Sequence, residues 1–510
     1  MSPGKILAGL GISERVLAQC GDRFLESCEA HGDIVLVIHG SLHLRCVVQV
    51  LHLPWFMPTV GVFPMQTIWG NASSTYCDGI RRRDFLRIGA LGVGGLTLAD
   101  LLRHEAKADE SHRPKSIIYV VLNGGPSHID MYDLKPDAPT EYRGPFAPIA
   151  TSLTGVRICE LMPLQARMMH QMTLLRGVRS VENNHYLSEV YSGLPRRAGR
   201  RPAFGSIVSR YQGSGSALPP YVSLNRDSTD EFEYEKPYYA GSGHGPFRPF
   251  GEALADLMPV NSLERLQERR TLLSTFDAAR RNGEQMQAAG GLDRYQTQAL
   301  DIITSPRVRD AFDLSKEPER VRASYGRGKY PHQTYVSILY DWPSQQFLRA
   351  RRLVEAGVRV VTVRAGDWDH HSSPTGNIFY CMETMLPALD RSLYALFTDL
   401  RERGLENDVL VVVLGEFGRT PRISQPGPGR EHWADAGCVL FYGGGLRMGQ
   451  VLGETDARAE QPRAGSFHFQ NIMSTIYHTL GIDLNVQLPD FNGRPQFLLD
   501  DREPIRELVD

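Results

Sequence analysis

The 510-residue sequence has few cysteines, almost no net charge and no long hydrophobic run. Its 7 cysteines show no paired short spacings, which excludes a disulfide scaffold and a cysteine-type zinc module. Lysine and arginine total 56 against 58 aspartate and glutamate, so the charge balance gives no reason to expect nucleic-acid binding. The remaining composition, 42% hydrophobic and 22% charged, is typical of globular proteins and disfavours disorder, collagen-like repeats and a coiled-coil rod.

A run of arginines precedes a weakly apolar, glycine-rich segment well inside the chain. Residues 81–87 read RRRDFLR, and residues 88–102 are too short and too rich in glycine for a stable membrane span. The pair of arginines, the Phe-Leu pair and the apolar core resemble a twin-arginine (Tat) export signal, with AKA at 106–108 resembling its cleavage site. We therefore expect residues 65–108 to engage the Tat export machinery and the mature chain to be periplasmic or extracellular. The alternative is a buried core helix with a basic flank.

Residues 1–64 do not fit such a signal, because the segment before the twin arginines is normally short. Met65 would begin a compact one. We interpret 1–64 as the product of a start codon assigned too far upstream, and as no part of the fold. The mature chain then keeps Cys159, Cys381 and Cys438, an odd number that suggests no obligatory disulfide framework.

Four apolar, β-branched runs predict strands that are buried on both faces, at 116–122, 358–363, 409–414 and 438–442. Between the second and third runs, apolar residues recur every three or four positions from Ile378 to Arg403 and predict a helix that ends before Gly404. A strand, a helix and a strand in this order form a βαβ unit. The sequence therefore predicts an α/β fold with a parallel sheet and helices on its faces.

Residues 195–345 are rich in proline and arginine and contain few strand-like runs. Within them, 263–281 is amphipathic and predicts a helix. We interpret 195–345 as a helical insertion or cap on a single domain that spans 109–490. A last helix is predicted at 467–480, and 491–510 is interpreted as a C-terminal tail.

Acidic and histidine residues cluster directly after the predicted strands. The sequence NGGPSHID occupies 123–130 after the first strand, GDWDHH occupies 366–371 after the second, and GEFGRTP occupies 415–421 after the third. The sequence REHW lies at 430–433, just before the fourth strand. Ligands of open α/β sheets bind beyond the carboxyl ends of the strands. Carboxylates gathered there repel one another unless a cation or proton lies between them, and Asp, Glu and His suit divalent metals, so the pattern predicts a metal site.

Each element also has an ordinary structural interpretation. Asp367 and Asp369 could cap the following helix or its loop. Glu416 could pair with Arg419, and His432 could be a packed core histidine. The glycines after the first strand could form only a tight turn. These residues all follow or precede strands at one predicted edge of the sheet, and this joint placement favours a metal site over the separate structural interpretations.

The order of these motifs resembles one bacterial family, a domain-of-unknown-function family of Tat-exported, sulfatase-like proteins in the alkaline phosphatase superfamily. The resemblance covers about residues 65–485 and is carried by NGGPSHIDxxDxKP, GDWDHH, GEFGRTP and GREHW, together with the export signal. It implies a three-layer α/β/α sandwich around a mostly parallel sheet. It also implies hydrolysis of phosphate or sulfate monoesters with one or two metals and a Ser, Thr or formylglycine nucleophile.

Carried over residue by residue, the resemblance implies that Asp369, His371 and His432 bind one divalent metal (Zn, Mn, Mg or Ca). A second metal site is only partly matched, because Asn123 stands where an aspartate is expected. Glu416 and Asp130 are therefore weaker candidates, as further ligands or as a base.

The nucleophile of the superfamily has no direct match. It should stand at the start of the helix at 185–193, yet that start reads Asn183-Asn184-His185 and has no Ser, Thr or Cys. No Cys-or-Ser-x-Pro-x-Arg run supports formylglycine maturation. Three alternatives stay open: His185 as nucleophile or ligand, Ser127 from the first loop, or a water activated by the cation.

Arg419 and Arg430 are candidates for binding the anionic group of a substrate, because a planar guanidinium matches phosphate or sulfate oxygens in a bidentate manner. The alternative is that they balance the charge of the acidic cluster.

Together these inferences predict an exported, metal-dependent hydrolase of sulfate or phosphate esters, acting on a small molecule or a polysaccharide. One alternative is a non-catalytic relative that binds an anionic glycan or a protein partner, and another is a structural surface protein without a cofactor.

Overall fold

A computed structural model describes residues 115–213, 218–225, 235–249, 305–332, 335–372, 377–425 and 428–509, together with the backbone of three strands near the N-terminus. Residues 1–113 and 114–510 form two separate units. The described strands of the first unit, Leu25–Ala30, Asp33–Ile38 and Val48–Leu51, pair antiparallel. The predicted export signal at 65–108 and the predicted helix at 263–281 lie outside the described residues.

Seven strands form the central sheet of the second unit. In chain order they are β1 (Ser116–Val121), β2 (Met172–Arg176), β3 (Tyr221–Ser223), β4 (Val360–Arg364), β5 (Val409–Leu414), β6 (Cys438–Gly443) and β7 (Gln450–Leu452). Their order across the sheet is β7-β2-β6-β5-β1-β4-β3, and every neighbouring pair is parallel except the two that involve β6. The mostly parallel sheet and its four predicted strands are confirmed.

Helices cover both faces of this sheet. The α-helices are α1 (His128–Met131), α2 (Thr140–Arg143), α3 (Pro163–Met168), α4 (Ser188–Ser192), α5 (Phe204–Gln212), α6 (Pro306–Phe312), α7 (Glu319–Ser324), α8 (Ser344–Glu355), α9 (Ile378–Glu402), α10 (Phe469–Thr479) and α11 (Arg506–Val509). The predicted long helix is therefore confirmed as α9, with Gly404 in the left-handed conformation just beyond it.

The alternating side chains of β1 explain the three layers. Ile118 and Val120 belong to a core that α3, α8 and α9 cover, whereas Ile117, Tyr119 and Val121 belong to a second core that α4, α5 and α10 cover. A strand buried on both faces needs apolar side chains at every position, which is why the predicted strands read as continuous apolar runs. The α/β/α sandwich is confirmed.

The reversed direction of β6 brings its start to the edge of the sheet at which β1, β4 and β5 end. Its residue Leu440 pairs with Val413, and Gly443 pairs with Leu410, so β6 begins where the parallel strand β5 ends. Residues just before β6 therefore reach the same edge as residues just after β1, β4 and β5.

Two interpreted segments contain more regular structure than the sequence indicated. The stretch 195–345 supplies α5, α6 and α7, but also the edge strand β3 and a small hairpin of Lys329–Pro331 with Leu339–Asp341. The segment interpreted as a tail ends in α11, and Leu499 and Leu508 are fully buried. These two leucines pack in the core that α10 covers, which ties the segment to the sandwich.

Among the helices that the structure describes, none combines the length and the apolar character needed to cross a membrane.

Candidate metal centre

Loops at one edge of the sheet bring four predicted site residues together. Asp369 and His371 lie in the loop after β4, and His432 lies shortly before β6. His185 comes from the segment that leads into α4. One ligand atom from each of the four lies within 4.8 Å of the other three. The helix after Asp369 begins at Ile378 and is capped by Asn377, so the aspartate does not serve as a cap.

Three imidazoles converge on one carboxylate oxygen. Oδ1 of Asp369 lies 2.7 Å from Nε2 of His371, 2.9 Å from Nε2 of His185 and 3.4 Å from Nε2 of His432. The rings are close enough to contact one another, since the centroid of His432 lies 4.4 Å from that of His185 and 4.9 Å from that of His371. The sequence predicted Asp369, His371 and His432 as one set of ligands, and the structure places them together with His185.

The other nitrogen of each ring has an acceptor. Nδ1 of His185 lies 2.8 Å from Oε1 of Glu416, Nδ1 of His371 contacts Oε2 of Glu431, and Nδ1 of His432 lies 3.0 Å from the carbonyl oxygen of Asn183. A proton on each Nδ1 satisfies these acceptors and leaves the Nε2 lone pairs directed at the centre. Metal-binding histidines almost always donate their second nitrogen to a carboxylate or a carbonyl in this way.

The donor set fits a divalent cation. Three neutral imidazole nitrogens with one carboxylate oxygen are ligands that zinc accepts in a four-coordinate site. Hard cations such as Mg²⁺ and Ca²⁺ instead prefer oxygen donors throughout. The imidazoles of His185 and His371 are 31% and 36% exposed, so solvent reaches the cluster.

The protonation equilibria of the cluster favour positive charge at its centre. Burial acts to raise the pKa of Asp369, but hydrogen bonds from His185, His371, His432 and Arg419 outweigh it and hold that pKa well below its usual range. Burial acts to lower the pKa of His185, yet the carboxylates of Asp369 and Glu416 raise it to about 9. The hydrogen bond to Asp369 also raises the pKa of His371. Either protons or a cation can carry this charge.

Glu416 supports the cluster from behind. Its carboxylate accepts the backbone N–H of Gly124 at 2.8 Å and 3.1 Å and contacts His185, which orients that imidazole. The close approach needs a glycine, because Gly124 has φ +109° and a Cβ there would lie 2.2 Å from the backbone nitrogen of Asp369. The structure therefore places Glu416 beside the predicted ligands, as a hydrogen-bond partner of His185.

Asp130, Ser127 and Arg430 form a separate buried cluster. Arg430 donates to both carboxylate oxygens of Asp130, at 2.6 Å and 2.9 Å, and Ser127 donates its hydroxyl to the same carboxylate. The guanidinium also donates to the backbone carbonyls of Thr420 and Tyr142 at 2.9 Å and 2.7 Å. These contacts favour charge balance over anion binding for Arg430, and they give Asp130 and Ser127 partners other than the four clustered residues.

Arg419 is also fully buried and internally paired. It donates to the carbonyl oxygens of Gly124, Gly125 and Trp368 and to Oδ1 of Asp369, the last at 2.8 Å. Because these partners use its guanidinium N–H groups, the geometry favours a positioning role, in which Arg419 ties the loop after β1 to the loop after β4.

Two residues that accept hydrogen bonds from the clustered histidines were not predicted from the sequence. The sequence presents Glu431 only within the motif REHW, where its position next to His432 is the one signal of its role. Asn183 acts through its backbone carbonyl, which no side-chain pattern reveals.

Comparisons with known proteins give low similarity to solved structures. The lipoteichoic acid synthase LtaP from Listeria monocytogenes has 11% identity and a TM-score of 0.36, over 76% of each chain. The C-terminal periplasmic domain of EptC from Escherichia coli, in complex with Zn, has 8% identity and a TM-score of 0.35, over 79% of this chain and 94% of that one. The sulfatase PsFucS1 from Pseudoalteromonas sp. has 13% identity and a TM-score of 0.35, over 80% of this chain and 75% of that one.

A search of curated protein sequences finds no match. One family model does match, and it covers the whole sandwich, from residue 114 to residue 509. The chain therefore belongs to the family described as "Protein of unknown function (DUF1501)".

Proposed function

We propose that this chain is an exported hydrolase of sulfate or phosphate esters that depends on a divalent metal. The observation that carries the proposal is the convergence of three Nε2 atoms on Oδ1 of Asp369, with each Nδ1 held by an acceptor. Export follows from the twin-arginine segment at 81–87, and it would place the substrate outside the cytoplasm. The ester class follows from the motifs that resemble sulfatase-like proteins.

His185, Asp369, His371 and His432 would hold the metal, and zinc suits this donor set best. A metal bound there supplies Lewis-acid polarisation of an ester oxygen and lowers the pKa of a nearby water. Glu416 and Glu431 would keep two of the imidazoles in the ligating orientation.

Water is the proposed attacking group. The hydroxyl of Ser127 donates to buried Asp130, and both nitrogens of His185 have partners at 2.9 Å and 2.8 Å. The metal cluster itself consists of three histidines and one aspartate, and none of these four is a hydroxyl or thiol nucleophile of the usual kind. This same feature supports the alternative function, a non-catalytic relative that binds an anionic glycan or a protein partner.

Exposed arginines on the segment after α4 support an anionic substrate. Arg196, Arg197 and Arg200 are exposed on the segment that follows α4. The guanidinium of Arg196 lies 4.4 Å from the ring centroid of Tyr186, the residue after His185. These arginines could reach a substrate anion in solvent, which the buried Arg419 and Arg430 cannot do without losing their internal partners.

A panel of chromogenic sulfate and phosphate esters tests the hydrolase proposal on the purified full chain loaded with Zn²⁺. We expect turnover of at least one ester class, and a fall of about a thousandfold in kcat/KM in Asp369→Ala. The physical reason is that Lewis-acid catalysis contributes several kcal/mol, and each 1.4 kcal/mol is a factor of ten. The matched control is Asp500→Ala, which removes an exposed carboxylate far along the sequence. If wild-type turnover equals that of Asp369→Ala for every ester, the hydrolase proposal fails.

Replacing Arg196 and Arg197 together with glutamine should raise KM roughly fivefold while kcat stays unchanged, because exposed charges contribute only about 1 kcal/mol to binding in both ground and transition states. The effect should weaken as ionic strength rises. Steady-state kinetics at low and high salt measure both quantities. The control is Arg463→Gln, an arginine that is 73% exposed in a surface pair with Glu454. An unchanged KM at low salt would exclude a role for these arginines in substrate binding.

A further inference from the structure

A cavity that shares no residue with the metal cluster is lined by guanidinium groups. Its volume is about 740 Å³, and its wall combines the loop between α7 and the 329–331 strand, the start of α8 and one side chain of α9. Arg322, Arg327 and Arg391 line it together with Trp342 and Ser344. Cavities of this size are typical of sites for small organic molecules.

The positive charge of the cavity is only partly compensated. Arg322 pairs with Glu319 at 2.6 Å, and Asp341, the other acidic residue of the wall, pairs with Lys329 at 2.6 Å. Within the part of the chain that the structure describes, Arg327 and Arg391 form no salt bridge. Among the described residues, two guanidinium groups at the cavity therefore have no carboxylate partner.

Polar atoms of the wall also lack partners. Ser344 is only 4% exposed, and its buried hydroxyl oxygen has no hydrogen-bond partner among the described residues, nor does Nε of Arg322. A buried polar atom without a partner costs free energy unless a water, an ion or a ligand satisfies it. Ser344 is also the first residue of α8, a 12-residue helix without a side-chain cap, so its positive end faces the same wall.

The loop that contains Gly326 packs closely against Arg391 at the cavity wall. Gly326 has φ +75°, and a Cβ there would lie 2.4 Å from Cδ of Arg391. Arg391 in turn donates to the carbonyl oxygens of Ser324 and Ala323 at 3.2 Å and 3.3 Å. The loop is therefore fixed against α9, and the arginine is oriented before any ligand arrives.

We propose that this cavity binds a small organic anion, one that carries a phosphate, sulfate or carboxylate group, at a site distinct from the metal centre. Arg327 and Arg391 would bind the anionic group through charge-assisted hydrogen bonds. The volume exceeds what an inorganic anion fills, so the organic part occupies the remaining space beside Trp342. Trp342 packs against the loop that leads to Asp369, because a Cβ on Gly366 in that loop would lie 2.9 Å from Cζ3 of Trp342.

Isothermal titration calorimetry of the full chain, treated with a chelator and held at low salt, tests the proposal with glucose 6-phosphate and inorganic phosphate as probes. We expect saturable binding of both, with the sugar phosphate tighter. Arg327→Gln and Arg391→Gln should each weaken binding about tenfold, the value of one charge-assisted hydrogen bond. His371→Ala, which disrupts the metal cluster, should leave binding unchanged.

Arg327 is exposed and makes no described contact that its replacement would break, so Arg327→Gln keeps the test valid if Arg391→Gln fails to fold. Binding that survives in Arg327→Gln but disappears in His371→Ala would assign the anion to the metal cluster and overturn the proposal. Binding of inorganic phosphate with no gain for the sugar phosphate would also overturn it, as would an absence of saturable binding at millimolar probe. None of these results depends on ester hydrolysis, so the test of this cavity is independent of the test of the proposed function.

Discussion

The full chain, expressed in medium containing zinc, should retain about one Zn²⁺ per molecule, and Asp369→Ala should retain almost none. Asp369 provides the oxygen on which three imidazole nitrogens converge, at 2.7 Å to 3.4 Å. Without that carboxylate, the site loses its only anionic ligand among the four clustered residues. Replacing a residue that only orients a ligand typically costs 10- to 100-fold in metal affinity, so losing the ligand itself should cost more than about a hundredfold.

Glu416→Ala should give a smaller loss of zinc affinity than Asp369→Ala. Glu416 contacts Nδ1 of His185 and the backbone of Gly124, so its loss should weaken zinc affinity by about 10- to 100-fold without abolishing binding. Competition with a chromogenic chelator measures these affinities, and elemental analysis of the purified chain gives the stoichiometry. Asp500→Ala is the control for both. If Asp369→Ala retains the wild-type stoichiometry and affinity, the four residues do not form the metal site.

The edge at which Asp369 and His371 lie could be predicted from the sequence, because the apolar strand runs are encoded locally. The apolar runs that became β1, β4 and β5 are continuous, which indicates burial on both faces and therefore parallel neighbours. Once three strands are parallel, the residues that follow them must share an edge. Asp369 and His371 are placed by this rule alone.

His432 required a further fact that the sequence did not supply. It precedes β6, so a parallel β6 would have put it at the opposite edge of the sheet. The antiparallel pairing of β6 with β5 reverses that expectation and brings His432 to Asp369. The resemblance of the GREHW motif to a known family, rather than any rule of strand direction, is what placed His432 correctly.

The roles of the two buried arginines could not be read from the sequence. A guanidinium suits an external anion and an internal carboxylate equally well, and the choice depends on where two loops pass each other. Arg419 meets three carbonyl oxygens from the loops after β1 and β4, and Arg430 meets Asp130 from α1. The contacts of Arg430 with Asp130 and of Arg419 with Gly125 join residues 300 and 294 positions apart, and no local sequence pattern records them.

Arg430→Met should lower the free energy of unfolding by about 3–5 kcal/mol, the usual cost of leaving one member of a buried ion pair without its partner. Arg430 and Asp130 are 0% and 1% exposed, and the substitution keeps an unbranched apolar stem while removing the charge. The carbonyl oxygens of Thr420 and Tyr142 would lose their donor as well, so the loss should fall at the upper end of the range. Urea unfolding of the full chain, followed by tryptophan fluorescence and circular dichroism, measures the change.

The control for Arg430→Met is Arg463→Met, whose side chain is 73% exposed and pairs with an exposed glutamate at 3.6 Å. That surface pair should contribute no more than about 1 kcal/mol. The comparison also decides between the two roles that the sequence left open for Arg430. A guanidinium that balances buried charge lowers stability when it is lost and leaves the KM of the folded fraction unchanged. A guanidinium that binds the substrate anion raises KM when it is lost and leaves the urea midpoint near that of wild type, and this second pattern would contradict the buried ion pair as the reason for Arg430.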